Sequence, residues 1–113
     1  MSGADLTVPQ VAARMAEVLR TRGWHQGWYY ERNADLATCP VCVLGALHAV
    51  LGGSPDADIP KATMPMFDSV YAAIADGGGI KDGVSRWNDR QRSVVPVLAV
   101  LDAIADTEPK EQG

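Results

Sequence analysis

The chain has 113 residues, 47% of them hydrophobic and 21% charged, with a net charge of −4. That length suits one domain, and the balance excludes a mainly disordered chain, a collagen and a disulfide-dense mini-protein. The acidic net charge leaves no global basic field for a nucleic-acid backbone, and no apolar run is long enough to span a bilayer.

In chain order, residues 1–6 are small and polar and are expected to be disordered. Thr7 with Gln10 three residues later makes a capping-box pattern, and Pro9 fits a first helical turn. Val11, Met15, Val18 and Leu19 follow at helical spacing, and Arg20, Arg22 and Gly23 suit a C-terminal end with a left-handed stop. A first helix is therefore predicted over 8–22. Segment 24–38 has neither a period of two nor one of 3.6, and reads as irregular, with a small hairpin as the main challenge to an all-helical fold. It holds Trp24, Trp28, Tyr29 and Tyr30, and Asn33 and Asp35 read as turn residues.

Thr38 reads as the cap of a second helix over 39–51, with Pro40 in its first turn and Gly52-Gly53 as its stop. From Val41 to Leu51 the only strongly polar side chain is His48, so this helix is expected at the buried centre, with Gly45 and Ala46 admitting a close neighbour. A loop over 52–62 precedes a third helix, capped by Thr63 and stopped at Gly77-Gly78-Gly79. A short element over 80–88 is ended by Asn88-Asp89, and Ser93 caps a last helix over 94–106. Residues 107–113 read as a disordered tail. The expectation is an all-α bundle over 7–106, four main helices and a short fifth around the central apolar one.

Cys39 and Cys42 form the one C-x-x-C. At a helix N-terminus the dipole lowers a thiol pKa, which is the basis of redox chemistry, but that motif ordinarily follows a strand, and none is predicted. Zinc needs four ligands, and Cys39, Cys42, His25 and His48 just supply the number at poor spacing. A cysteine hydrolase would draw on Cys42, His25 and an orienting Asp35, Asn88 or Asp89. Against all three stands the plain reading, in which Cys42 is a small buried apolar residue and His48 a core-edge histidine bonded to a carbonyl. The glycine-rich stretch 77–83 lacks the Gly-Lys-Ser/Thr ending of a phosphate loop and reads as a connection.

Trp28, Tyr29 and Tyr30 lie among Arg20, Arg22 and Arg32, and Trp87 lies among Arg86, Arg90 and Arg92. Aromatics interleaved with arginine stack flat ligands or anchor protein interfaces; the bland alternative is a core of tryptophans with arginines solvating its edge. Arg outnumbers Lys seven to three, which fits a GC-rich source.

Gly23-Trp24, the run Cys42-Val43-Leu44-Gly45-Ala46-Leu47, and Trp87-Asn88-Asp89 before a final apolar helix resemble a family of small uncharacterised proteins from actinobacteria and their phages. Cys39 and the Trp28-Tyr29-Tyr30 run fall outside that pattern. The resemblance implies no activity, substrate or catalytic residue.

The sequence therefore favours a non-enzymatic accessory protein that binds a protein partner, host-directed if phage-borne. Trp28, Tyr29, Tyr30, Arg32, Arg86 and Arg90 are the candidate contacts, with no cofactor, no metal, no membrane and no nucleic acid. No signal-peptide pattern opens the chain, so the cytoplasm is the expected location. The competing class is a thiol-dependent enzyme or metal site on Cys42, Cys39 and His25.

Overall fold

The computed structural model describes residues 6–32 and 35–107. Helix covers 60% of them, in five α-helices and one 3₁₀ turn with no strand, so the all-α expectation holds. They are α1 (Val8–Arg22), α2 (Val43–Gly52), α3 (Met64–Gly77), α4 (Val84–Arg90) and α5 (Val95–Ala105), with a 3₁₀ turn at Lys61–Thr63. No helix among the described residues is long and apolar enough to cross a membrane.

α1 forms where local chemistry places it. Gln10 N–H donates to Thr7 Oγ1 at 3.2 Å, and Thr7 N–H donates to Gln10 Oε1 at 2.9 Å. These reciprocal bonds satisfy two amides with no helical partner. At its end Gly23 donates to the Leu19 carbonyl, with φ +96° and ψ 164°. That is an extended glycine conformation rather than the expected left-handed helical stop, and it turns the chain into segment 24–32.

α1 packs mainly against α5, α2 and α3, while α2 packs mainly against α1 and α4. The apolar helix α2 thus shares the centre with α1. Val11, Met15, Leu47, Val70, Ile74, Val84, Val97 and Leu101 are fully buried along these seams.

Helix starts differ from the expectation where distant chain intervenes. α2 begins at Val43, not at residue 39, and its cap is Cys42, not Thr38. Residues 39–42 are instead drawn out against the irregular segment. Val41 N–H donates to the Gly23 carbonyl, His25 N–H to the Val41 carbonyl, Glu31 N–H to the Pro40 carbonyl, and Cys42 N–H to the Tyr29 carbonyl. Single bridges pair Val41 with Trp24 and with Tyr30, so the hairpin risk reduces to isolated pairings. Thr63 stands at the expected N-cap position of α3 but makes no side-chain capping bond; its hydroxyl donates to the Pro60 carbonyl at 2.8 Å within the 3₁₀ turn. Asn88-Asp89 does not end the short helix, which runs on to Arg90. Ser93 lies one residue before the N-cap position of α5, which Val94 takes, and its hydroxyl accepts from Val95 N–H at 3.2 Å.

The segments expected to be disordered, 1–6 and 107–113, lie outside the described residues except for Leu6, which is buried, and Thr107, whose hydroxyl donates to the Ile104 carbonyl at 2.6 Å. Asn33 also lies outside them. Asp35 makes the expected turn: its carbonyl accepts from Thr38 and Cys39, and its carboxylate from Ala37 N–H at 3.1 Å.

Candidate functional site

A buried asparagine organises the region. Asn88 is 0% exposed, inside α4. Its Oδ1 accepts from the Trp24 indole at 2.8 Å and from Val43 N–H at 3.1 Å. Its Nδ2 donates to the His25 carbonyl at 3.1 Å and to Asp89 Oδ1 at 3.3 Å. One amide thus ties α4, the first turn of α2 and segment 24–32 together, using its acceptor and its donors at once. Gln26 adds a second tie, its Nε2 donating to the carbonyls of Asn88, Asp89 and Gln91 at 3.2, 2.9 and 2.8 Å. Gly27 N–H donates to Asp89 Oδ1 at 2.9 Å.

Held by these bonds, residues 27–29 form one wall of a cavity of about 210 Å³, lined by Gly27, Trp28, Tyr29, Cys42, Ser85 and Asp89. Trp28 and Tyr29 are 52% and 38% exposed, unusual for side chains of that size. Their rings lie 6.2 Å apart, and the Arg32 guanidinium sits over the Trp28 ring at 5.1 Å, within cation–π range. Tyr29 also stands 5.3 Å from the His48 ring, which meets Phe67 edge-on at 5.6 Å. His48 Nδ1 lies 2.9 Å from the Ala57 carbonyl, the core-edge role expected of it.

The two thiols are buried and free. Cys42 caps α2, its sulfur accepting from Gly45 N–H at 3.3 Å. Burial pushes its thiol above the ordinary range, against the opposing pull of the Gly45 amide. The helix-terminus argument for an activated thiolate therefore fails for Cys42: desolvation outweighs the N–H donors. Cys39 lies beneath Arg22, whose Nε donates to the Cys39 carbonyl at 2.9 Å and whose Nη2 meets the Leu36 carbonyl and, at 3.5 Å, the Cys39 sulfur. His25 faces Glu31, Nδ1 to Oε2 at 3.9 Å, and no hydrogen bond joins it to either thiol among the described residues. No group of three or more His, Cys, Asp or Glu among those residues is placed to hold a metal.

These facts define Cys42 as a helix cap. Cys42→Ser retains an acceptor for Gly45 N–H, and is expected to change unfolding free energy by less than about 1 kcal/mol, whereas Cys42→Ala costs about 1 kcal/mol. Titration with an aromatic disulfide reagent at pH 8 is expected to find both thiols silent in the native chain and both reactive in denaturant. A fast-reacting native thiol would contradict this assignment.

Of the residues singled out in the sequence, Trp28 and Tyr29 line the cavity, and Arg32 sits over the Trp28 ring without being one of the lining residues. Tyr30 is half-buried and packs on the core. Arg90 pairs with Asp82, holding that carboxyl below its ordinary range, and Arg86 is exposed on the same helix. Neither arginine lines the cavity. Ser85 is not singled out in the sequence, and Asn88 and Asp89 enter there only as a helix stop and as possible orienting groups of a cysteine hydrolase. The available signal was an asparagine next to a tryptophan inside a short helical segment, where asparagine is a poor helix former.

A model of a family of unknown function, DUF6197, matches residues 3–107. Neither a curated protein nor a solved structure matches the chain.

Proposed function

The chain belongs to this family of unknown function, and we propose that it is a non-enzymatic binding domain that takes a segment of a partner protein into the cleft between residues 27–29 and α4. The observation that carries this reading is the exposure of Trp28 and Tyr29 on a wall bonded to α4 through Asn88, Gln26 and Gly27. Tryptophan, tyrosine and arginine are the preferred anchors of protein interfaces. An anchor already ordered in the free protein loses less entropy on binding. The raised Cys42 thiol, with no histidine bonded to it, supports binding over thiol chemistry. In this reading the protein acts in the cytoplasm of an actinobacterium, and on a host protein where the gene is phage-borne. The net charge of −4 sets the surface against nucleic acid.

Affinity capture from an actinobacterial lysate, run in parallel with wild type and Trp28→Ala, tests the reading. A protein retained by wild type and depleted at least tenfold by the variant is expected, since loss of a central aromatic anchor typically costs about 2 kcal/mol or more. Equal recovery by both would remove the cleft as the contact.

A further inference from the structure

We propose that the occupant of this cleft is a cationic side chain, an arginine or lysine presented by the partner; the proposal rests on the binding reading above. Three features converge on a cation. First, the Trp28 ring already carries one: the Arg32 guanidinium lies over it at 5.1 Å. An indole face attracts cations through its quadrupole.

Second, Asp89 is exposed on the cavity wall, and no cation pairs with it among the described residues. Asp82 and Asp102, by contrast, each hold an arginine. Both hydrogen bonds to Asp89 end on Oδ1, from Gly27 N–H and Asn88 Nδ2, so the carboxylate is oriented while Oδ2 has no partner among the described residues. Third, among the described residues no lysine or arginine lines the cavity, whose other lining residues are Gly27, Tyr29, Cys42 and Ser85.

Size decides between a side chain and a small molecule. The cavity, about 210 Å³, falls below the roughly 300–1,000 Å³ of pockets that enclose drug-sized ligands. It suits the stem and head group of one long side chain, the stem against Trp28 and Tyr29 and the charge toward Asp89. The overall charge of −4 draws a basic partner to the surface.

The test pans a random dodecapeptide library displayed on phage against the wild-type protein, with counter-selection on Trp28→Ala. The surviving peptides are expected to share a basic residue. For a synthetic survivor, replacing arginine by citrulline, or lysine by norleucine, should weaken binding about tenfold or more, the loss of one charge-assisted contact. Asp89→Asn keeps an acceptor for Gly27 N–H and should weaken binding equally. Asp68→Asn, the same charge change at an exposed position of α3, should leave it unchanged. Arg32→Ala, which removes the competing cation from the indole, should tighten it.

Trp28-dependent peptides without a basic residue, or insensitive to Asp89→Asn, overturn the cation and leave the binding reading standing. Equal losses from Asp68→Asn and Asp89→Asn reduce the effect to diffuse attraction and overturn it too. Weaker binding to Arg32→Ala would assign the cleft to an acidic partner. If no Trp28-dependent peptide survives, the proposal and the binding reading both fall.

Discussion

Gly45→Ala is expected to destabilise the domain by about 3 kcal/mol or more, a large share of the 5–15 kcal/mol that ordinarily holds a domain of this size folded. A β-carbon at residue 45 would stand 1.9 Å from the Tyr29 carbonyl oxygen, 2.9 Å from its carbon and 3.1 Å from Val41 Cβ. The obstacle is backbone, which cannot swing aside as the tip of a side chain can. Relief means pushing residue 29 off α2. That breaks the bond from Cys42 N–H to the Tyr29 carbonyl, now 3.0 Å, and shifts the aromatic wall of the cleft.

Chemical denaturation measures the cost, and hydrogen exchange at the Cys42 amide localises it. Gly77→Ala is the control: there a β-carbon would meet only the Val100 Cγ1 methyl at 3.3 Å, so a change within about 1 kcal/mol is expected. A Gly45→Ala protein as stable as the control would contradict the close approach of segment 24–32 to α2.

Asn88→Ala is expected to cost about 3 kcal/mol, with a consequence beyond stability. It strands the buried Val43 N–H and the Trp24 indole N–H, each orphaned donor costing about 1–3 kcal/mol. It also removes the donor to the His25 carbonyl and one of the two donors to Asp89 Oδ1. Asn88→Asp keeps the acceptor but loses those donors, and sets a second carboxylate beside Asp89, so it is not expected to rescue. Denaturant midpoints give the energy. Faster exchange at Val43 N–H and a loss of near-ultraviolet ellipticity from Trp24 give the place. If Asn88→Ala changed stability by under 1 kcal/mol, the asparagine would not be the tie described above.

The contrast between α1 and α2 shows how far the sequence is legible. Thr7 and Gln10 are three residues apart, and Arg22 adjoins Gly23, so every signal bounding α1 lies within one turn of its effect. Pro40 is an equally local signal but an ambiguous one, because its fixed φ suits both a first helical turn and an extended strand. What resolves it is segment 23–31 bonding across residues 39–42. The plain reading of Cys42 as a buried residue agrees with the structure, whereas a helix over 39–51 places it inside the helix rather than at its cap. The capping role needed the true start of α2.

The site divides in the same way. Trp28, Tyr29 and Arg32 stand out as an aromatic–arginine run, and the structure places Arg32 over Trp28. Tyr30 belongs to the same run but turns inward, because its backbone pairs with Val41. Arg90 lies one turn beyond Arg86 and looked like part of a second cluster, yet Asp82 claims it. Asn88 looked like a turn residue because asparagine favours turns. Its partners His25, Trp24 and Val43 lie 63, 64 and 45 residues away.

By itself the sequence determined the helical class, the extent of α1, the burial of the apolar stretch from Val41 to Leu47, and the carbonyl-bonded role of His48. Those follow from side-chain period, composition and caps, which act within a turn or two. Tertiary structure alone decided where α2 begins, that Asn88 faces inward, and that Asp89, Ser85 and Cys42 meet Trp28 at one cavity. Each of those depends on a hydrogen bond or a packing contact between residues far apart in the chain. Such a pairing leaves no period to read, because either partner taken alone suits a turn or a solvated surface equally well.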